Sequence, residues 1–168
     1  ALCMTIVFIF LAIYLKNFPG NIILIGSLVS FLFWNWYPSQ IFMGDIGSVF
    51  LGIYFTGNLL QLDSLFEIIG FFCILMPIYG DAIYTLCLRF LHGHNVFKAH
   101  KLHIYQRLFL SGTSKQKIAL LYGLMTLING LIYINFGLLF GILTAVANFF
   151  ILLYFDKKYA LPFLNSKN

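Results

Sequence analysis

The sequence predicts an all-α fold, a polytopic transmembrane helical bundle with about six transmembrane helices. Hydrophobic residues make up 61% of the chain and charged residues only 9%, whereas an ordinary soluble domain carries about 25% charged residues. The mean hydropathy is +0.94, and the 168 residues hold several apolar stretches, each of which needs about 20 residues to cross a bilayer. The lipid bilayer is therefore the expected partner, and residues 1–168 are expected to form a single transmembrane domain.

Six apolar stretches are predicted to be helices, and turn residues separate them in order. The first two stretches flank Asn17-Phe18-Pro19-Gly20, and Pro38 ends the second, because proline and glycine favour turns. Short polar segments end the third and fourth stretches, and Asn135 with Gly137 marks a tight hairpin between the last two. The predicted helices are residues 2–15, 21–34, 46–61, 65–88, 117–134 and 136–155.

Basic residues concentrate in one segment of the chain. Residues 89–117 contain six of the ten lysines and arginines and all four histidines, and the positive-inside rule places such a loop in the cytoplasm. Counting spans from this loop puts Asp45 on the same side of the membrane. The net charge of +5 is modest and local, so no nucleic-acid partner is predicted. The three cysteines stand singly in apolar runs and indicate neither a disulfide framework nor a metal site.

The segment IFMGDIGS, residues 41–48, sets Asp45 between two glycines at the start of an apolar stretch. A carboxylate near hydrocarbon costs about 2.5–3.5 kcal/mol on insertion scales unless it is paired or faces water, so it is a functional candidate. Gly44 lets the backbone approach a ligand closely, and Ser48 adds a hydroxyl group. The segment predicts a cation or phosphate site at the membrane surface.

Asp81 is a second carboxylate within an apolar stretch. Pro77, Thr85 and Arg89 are spaced from it by four or eight residues, so all four share one helix face. This polar face is consistent with a substrate cavity. It is equally consistent with a buried structural aspartate bonded to Thr85 or to a neighbouring helix, and both interpretations stay open.

The loop of residues 92–108 is rich in imidazole, ammonium and guanidinium donors, which suit phosphate or pyrophosphate. A loop that only contacts anionic lipid headgroups would have a similar composition. Zinc is a further alternative, because His100 and His103 are three residues apart. No cysteine or carboxylate lies nearby in the sequence to complete four ligands, which disfavours zinc.

These segments together resemble a known family. Residues 35–52, NWYPSQIFMGDIGSVFLG, are similar to the FMGDxGSxxLG motif of the polyprenyl-phosphate N-acetylhexosamine-1-phosphate transferases, glycosyltransferase family 4. An aspartate-bearing helix and a cytoplasmic histidine-rich loop follow in the same order as in that family. KAHKLHIYQRL, residues 98–108, is similar to the DRxHxHH-type loop of the family. The resemblance covers about residues 17–110.

The resemblance implies an enzyme that transfers N-acetylhexosamine 1-phosphate from a UDP-N-acetylhexosamine to a polyprenyl phosphate, typically undecaprenyl phosphate, and releases UMP. It also implies Mg²⁺ dependence and a site on the cytoplasmic face of the bacterial inner (plasma) membrane, where a lipid-linked cell-envelope glycan begins. Asp45 would be catalytic and bind Mg²⁺, and His103, the first histidine of the loop motif, would also be catalytic. The expected substrate-binding residues are Gly44, Ser48, Asp81, His100, Lys101, Gln106 and Arg107.

The chain departs from the family pattern in two respects. Tyr105 and Gln106 stand where the loop motif has its next two histidines, and no adjacent aspartate pair of the DDxxD type occurs in the sequence. We therefore expect the chain to be the C-terminal part of such a transferase, inactive alone and partnered by an N-terminal half. Two other classes stay open: a transport or channel protein, and a non-catalytic membrane subunit.

Overall fold

The computed structural model describes residues 1–15, 18–95, 98 and 101–163, and within these ranges the chain is all-α, as predicted. The described part contains eight helices, which follow one another without any strand. They are α1 Leu2–Leu15, α2 Phe18–Asn35, α3 Gly44–Leu59, α4 Leu65–Ile74, α5 Met76–Leu91, α6 Ile104–Leu110, α7 Lys115–Phe136 and α8 Leu138–Tyr159.

Every predicted apolar stretch contains helix, but the number of long spans is smaller than the predicted six. By length and composition α7 and α8 qualify as membrane spans within the described residues, with a third if α4 and α5 together form one bent span. The 14 residues of α1 cover only about 21 Å at 1.5 Å per residue, against a hydrocarbon core of about 30 Å. The helix α6 lies within the segment predicted to be a loop.

Helix α7 is central to the bundle, because it packs against α1, α4, α5, α6 and α8. Helix α1 packs between α2 and α7, and α3 contacts α1. The main core forms where α1, α3 and α4 meet, with Phe8, Leu11, Phe55 and Phe71 buried. Helices α7 and α8 form the predicted hairpin, in which Gly137 adopts a φ of 81° that favours glycine.

Large apolar side chains cover much of the outer surface of the bundle. Phe33 is 79% exposed and Ile46 is 90% exposed, with many more of this kind on α2, α3, α7 and α8. Soluble monomers rarely expose contiguous apolar patches of this extent. The surface confirms a polytopic membrane protein.

An 80° bend separates α4 from α5. Pro77 has no N–H group, so it cannot donate to the carbonyl of Cys73 four residues earlier. The Asn129 side chain on α7 donates to that carbonyl instead, at 2.9 Å, and Asn148 on α8 donates to the Asn129 side-chain oxygen at 2.7 Å. The Asn129 amide thus satisfies the backbone at the bend, as burial in an apolar medium requires, and Asn148 orients that amide.

The short helix α6 is anchored by a second, smaller core. Its Ile104 and Leu108 are buried against Tyr122 of α7 and Leu152 of α8. This packing fixes α6 at the end of the bundle where α7 begins, and therefore positions the residues that precede α6.

Candidate functional site

A cavity of about 840 Å³ opens near the ends of the bundle at which α1 and α7 begin. Its walls are largely apolar and include Leu2, Met4, Ile78, Phe109 and Ile118. Its polar lining consists of Asp81, Lys101, His103, Tyr105, Gln106, Lys115 and Tyr122. The structure therefore brings together four residues predicted from the sequence to bind substrate or catalyse: Asp81, Lys101, His103 and Gln106.

Asp81 holds the N-terminus of α6. The first N–H groups of a helix have no partner within the helix, and here the Ile104 N–H donates to Asp81 Oδ1 at 2.8 Å. The Tyr105 N–H donates to Asp81 Oδ2 at 3.2 Å. Because the Asp81 residue is only 2% exposed, these bonds tie α6 firmly to α5.

Three side chains also donate to the Asp81 carboxylate. The Thr85 hydroxyl donates to Oδ1 at 3.1 Å, and the Tyr122 hydroxyl donates to Oδ2 at 2.6 Å. His103 Nδ1 lies 3.3 Å from Oδ1. The contact with Thr85 matches the structural interpretation of Asp81, and the contact with His103 links it to the cavity. Substrate binding by Asp81 itself stays a prediction.

The imidazole of His103 is oriented by these contacts. A carboxylate acceptor at Nδ1 favours the tautomer with its proton on Nδ1, so Nε2 then carries the lone pair. The ring stacks on Tyr105, with centroids 5.6 Å apart. The backbone N–H of His103 donates to the Gln106 side-chain oxygen at 3.2 Å. Burial and the negative charge of Asp81 raise the pKa of Tyr105, so its phenol stays neutral. This arrangement can accept a proton from a ligand in the cavity.

Arg107, predicted to bind substrate, points elsewhere. Its side chain is 3% exposed and forms an ion pair with Asp156 of α8, with 2.5 Å between Nη2 and Oδ1. Its Nε donates to the Leu102 carbonyl at 3.0 Å and its Nη1 to the Leu161 carbonyl at 2.9 Å. The guanidinium does not line the cavity, so its observed contacts hold α6 to α8.

Asp45 lies in the first turn of α3, and its side chain is exposed. Within the described residues its carboxylate makes no hydrogen bond or ion pair, while its backbone carbonyl accepts a hydrogen bond from the Ser48 hydroxyl at 3.0 Å. Gly44 has a φ of 63°, which L side chains rarely adopt. Gly44, Asp45 and Ser48 do not line the 840 Å³ cavity.

Replacement of Gly44 by alanine is expected to strain the start of α3, because a left-handed backbone costs about 1–2 kcal/mol for a residue with a Cβ. Gly52, within α3, has open space around it, so Gly52→Ala is the matched control and should be neutral or stabilising. Thermal unfolding in detergent measures both. Equal midpoints for Gly44→Ala and the wild type would contradict the assigned conformation.

A second cavity, of about 280 Å³, adjoins the loop that precedes Asp45. Its lining includes Asn35, Trp36, Tyr37, Ser39, Phe42 and Gln116, and it shares Ala1, Leu2, Lys115 and Ala119 with the larger cavity. The Asn35 side chain braces this loop by donating to the Ile41 carbonyl at 2.8 Å. The loop before Asp45 and the segment with His103 therefore lie at the same end of the bundle.

The remaining predicted residue, His100, lies outside the described residues. Among those that are described, no group of three histidine, cysteine, aspartate or glutamate side chains is placed to hold a metal ion. Tyr122 and Lys115 line the larger cavity but were not predicted. Both lie on α7 with a spacing of seven residues, which puts them on one helix face, and this polar face in an apolar helix is the signal that marks them.

Comparisons with known proteins relate the chain to transferases. Residues 1–63 match the family model described as glycosyl transferase family 4. The chain is 34% identical over 100 residues to a probable undecaprenyl-phosphate N-acetylglucosaminyl 1-phosphate transferase of Bacillus subtilis, over 56% of this chain and 27% of the relative. It is 37% identical over 111 residues to the phospho-N-acetylmuramoyl-pentapeptide-transferase of Carboxydothermus hydrogenoformans, over 65% of this chain and 33% of the relative.

A phospho-N-acetylmuramoyl-pentapeptide-transferase of Kosmotoga olearia is 36% identical over 110 residues, which cover 65% of this chain and 34% of that relative. The chain thus matches about a third or less of the length of these three curated relatives. No solved structure matches the chain significantly.

Proposed function

We propose, from the similarity of residues 1–63 to glycosyl transferase family 4, that the chain takes part in transferring N-acetylhexosamine 1-phosphate from a UDP-N-acetylhexosamine to a polyprenyl phosphate. One observation carries the proposal: the larger cavity has apolar walls and a polar lining that holds Lys101, His103 and Lys115. Such a cavity suits an amphiphile with a phosphate head. The activity of the whole protein, its substrates and its partners all belong to this proposal.

The proposed reaction exchanges one phosphate bond for another. A phosphate oxygen of the polyprenyl phosphate attacks the β-phosphorus of the nucleotide sugar, the bond from that phosphorus to the bridging oxygen breaks, and UMP leaves. His103 Nε2 accepts the proton of a protonated lipid phosphate, and Asp81 keeps the His103 ring in the required tautomer. Lys101 stabilises the negative charge that develops on the phosphate oxygens.

Magnesium is part of the proposal, and Asp45 fits it as a ligand. Its carboxylate is exposed at the start of α3 and makes no hydrogen bond or ion pair within the described residues. Mg²⁺ is commonly bound by one or two carboxylates, with substrate phosphate oxygens and waters completing its shell. When bound, the ion neutralises charge on the reacting phosphates.

We further propose that the site lies on the cytoplasmic face of the bacterial inner (plasma) membrane. The positive-inside rule supports this orientation, because Lys98, Lys101 and Lys115 lie on the segment that lines or borders the site. The alternative of a transport protein gains no support, since the Asp81 carboxylate, which would have to bind the transported ion, already accepts from five donors of the chain. Asp45 also does not share the larger cavity with Asp81.

The test is UMP release from UDP-N-acetylglucosamine and undecaprenyl phosphate in membranes. The chain is assayed alone and co-expressed with an N-terminal segment of the Bacillus subtilis relative. We expect activity on co-expression that EDTA abolishes and Mg²⁺ restores. Asp45→Asn should lower it about 10–100-fold, because each lost 1.4 kcal/mol of stabilisation costs tenfold.

Lys157→Gln, which alters an exposed residue on the last turn of α8, is the control and should leave the activity unchanged. Absence of UMP release in both arrangements would contradict the enzyme and favour a non-catalytic subunit. Activity that survives Asp45→Asn and EDTA unchanged would contradict the metal role.

A further inference from the structure

We propose that Lys115 binds phosphate at the junction of the two cavities, and that its ligand is an organic diphosphate with groups in both. This inference deepens the proposed function and rests on it for the identity of the ligand. Lys115 lies outside the recognised motifs, since it follows the histidine-rich loop by several residues.

The position of Lys115 is the first support. Four residues line both the 840 Å³ and the 280 Å³ cavity: Ala1, Leu2, Lys115 and Ala119. Lys115 has the only charged side chain of these four. A ligand that extends from one cavity into the other therefore passes the ammonium group of Lys115.

The charges of the two linings are the second support. Lys101 and His103 also line the larger cavity, so a phosphate bound there has several donors. The described lining of the smaller cavity contains aromatic, amide and hydroxyl groups, and Lys115 is its one cationic side chain. A phosphate that enters the smaller cavity has Lys115 as its charged partner, and a burial of that phosphate without a cation would be costly.

The Lys115 side chain is also held close to α6. Its Nζ lies 5.1 Å from the centroid of the Phe109 ring, a distance typical of a cation–π interaction. Phe109 lines the larger cavity as well. This contact places the ammonium group of the exposed Lys115 beside the cavity.

Lys117 provides a matched control. It lies in the same first turn of α7, is exposed, carries the same charge and lines neither cavity. Loss of either lysine changes the net charge equally, so a difference between the two variants reports position and not charge alone.

The kinetic test compares Lys115→Gln, Lys115→Arg and Lys117→Gln in the co-expression assay. Loss of one charge-assisted hydrogen bond corresponds to about tenfold in affinity. We therefore expect Lys115→Gln to raise KM for UDP-N-acetylglucosamine about tenfold with a much smaller change in kcat. Lys115→Arg should retain a near-normal KM, and Lys117→Gln should not change it. Equal KM values for Lys115→Gln and the wild type, or equal losses in Lys115→Gln and Lys117→Gln, would overturn the inference.

A binding test separates this inference from the proposed function. Inorganic pyrophosphate should raise the thermal midpoint of the detergent-solubilised chain, and Lys115→Gln but not Lys117→Gln should abolish that shift. A shift that depends on Lys115 in a chain without transferase activity would support the inference and contradict the proposed function. Transferase activity together with a pyrophosphate shift that does not depend on Lys115 would support the proposed function and contradict the inference.

Discussion

Arg107→Ala is expected to lower the free energy of unfolding by about 3–5 kcal/mol, the range typical of removing one partner of a buried ion pair. The Arg107 and Asp156 side chains are only 3% and 7% exposed, so the remaining carboxylate cannot be well hydrated. The Leu102 and Leu161 carbonyls lose their guanidinium donors at the same time. The destabilisation should therefore spread from α6 to the end of α8.

Denaturant unfolding in detergent, followed by circular dichroism, measures this effect. Lys157→Ala removes an exposed charge next to Asp156 and should shift the free energy of unfolding by less than about 0.5 kcal/mol. The double variant Arg107→Ala/Asp156→Ala should be less destabilised than the sum of the single variants, because it leaves no unpaired buried charge. A small effect of Arg107→Ala, similar to that of Lys157→Ala, would show that the pair does not hold α6.

Asp81→Asn is expected to reduce kcat about 10²-fold, because a neutral amide does not stabilise the positive charge that His103 gains when it accepts a proton. The amide oxygen should keep the place of Oδ1, where the Ile104 N–H donates, so the loss comes from the missing negative charge and not from a change of tautomer. KM should change far less, because Lys101 and Lys115 remain in place.

Tyr122→Phe is the matched control for Asp81→Asn. It removes one hydrogen bond, of 2.6 Å, to Oδ2 and leaves the contact of His103 with Oδ1 intact, so we expect less than a tenfold loss of kcat. His103→Gln should lower kcat about as much as Asp81→Asn, and the double variant should lose little more, as groups that act as one unit do. Fully multiplicative losses in the double variant would refute the coupling.

The apolar segments of this chain were predictable because lipid imposes a simple rule on composition. Residues 65–88 were nevertheless predicted as one helix, although the chain turns by 80° at Leu75. Pro77 marks the place in the sequence, but the donor that stabilises the bend comes from Asn129 on another helix. A local pattern cannot reveal a partner so distant along the chain.

In the candidate site, too, local features were predictable and contacts between distant parts of the chain were not. The sequence marked Asp81 and His103 as separate candidates, and the structure joins them through a contact of 3.3 Å. The helix α6 was not predicted, because seven residues form a stable helix only when Asp81 caps them and a core receives them. Arg107 has the residue type and position of a phosphate ligand, but Asp156 of α8 pairs with it, and nothing near Asp156 in the sequence indicates that pairing.

The bend between α4 and α5 links the permitted residues at positions 77 and 129. Proline at 77 removes one backbone donor at the break, and the Cys73 carbonyl accepts from the Leu75 N–H and from the Asn129 amide. With a different residue at 77, an added N–H would compete with the Asn129 amide for that carbonyl. Among descendants of this sequence, exchanges at these two positions should therefore arise together.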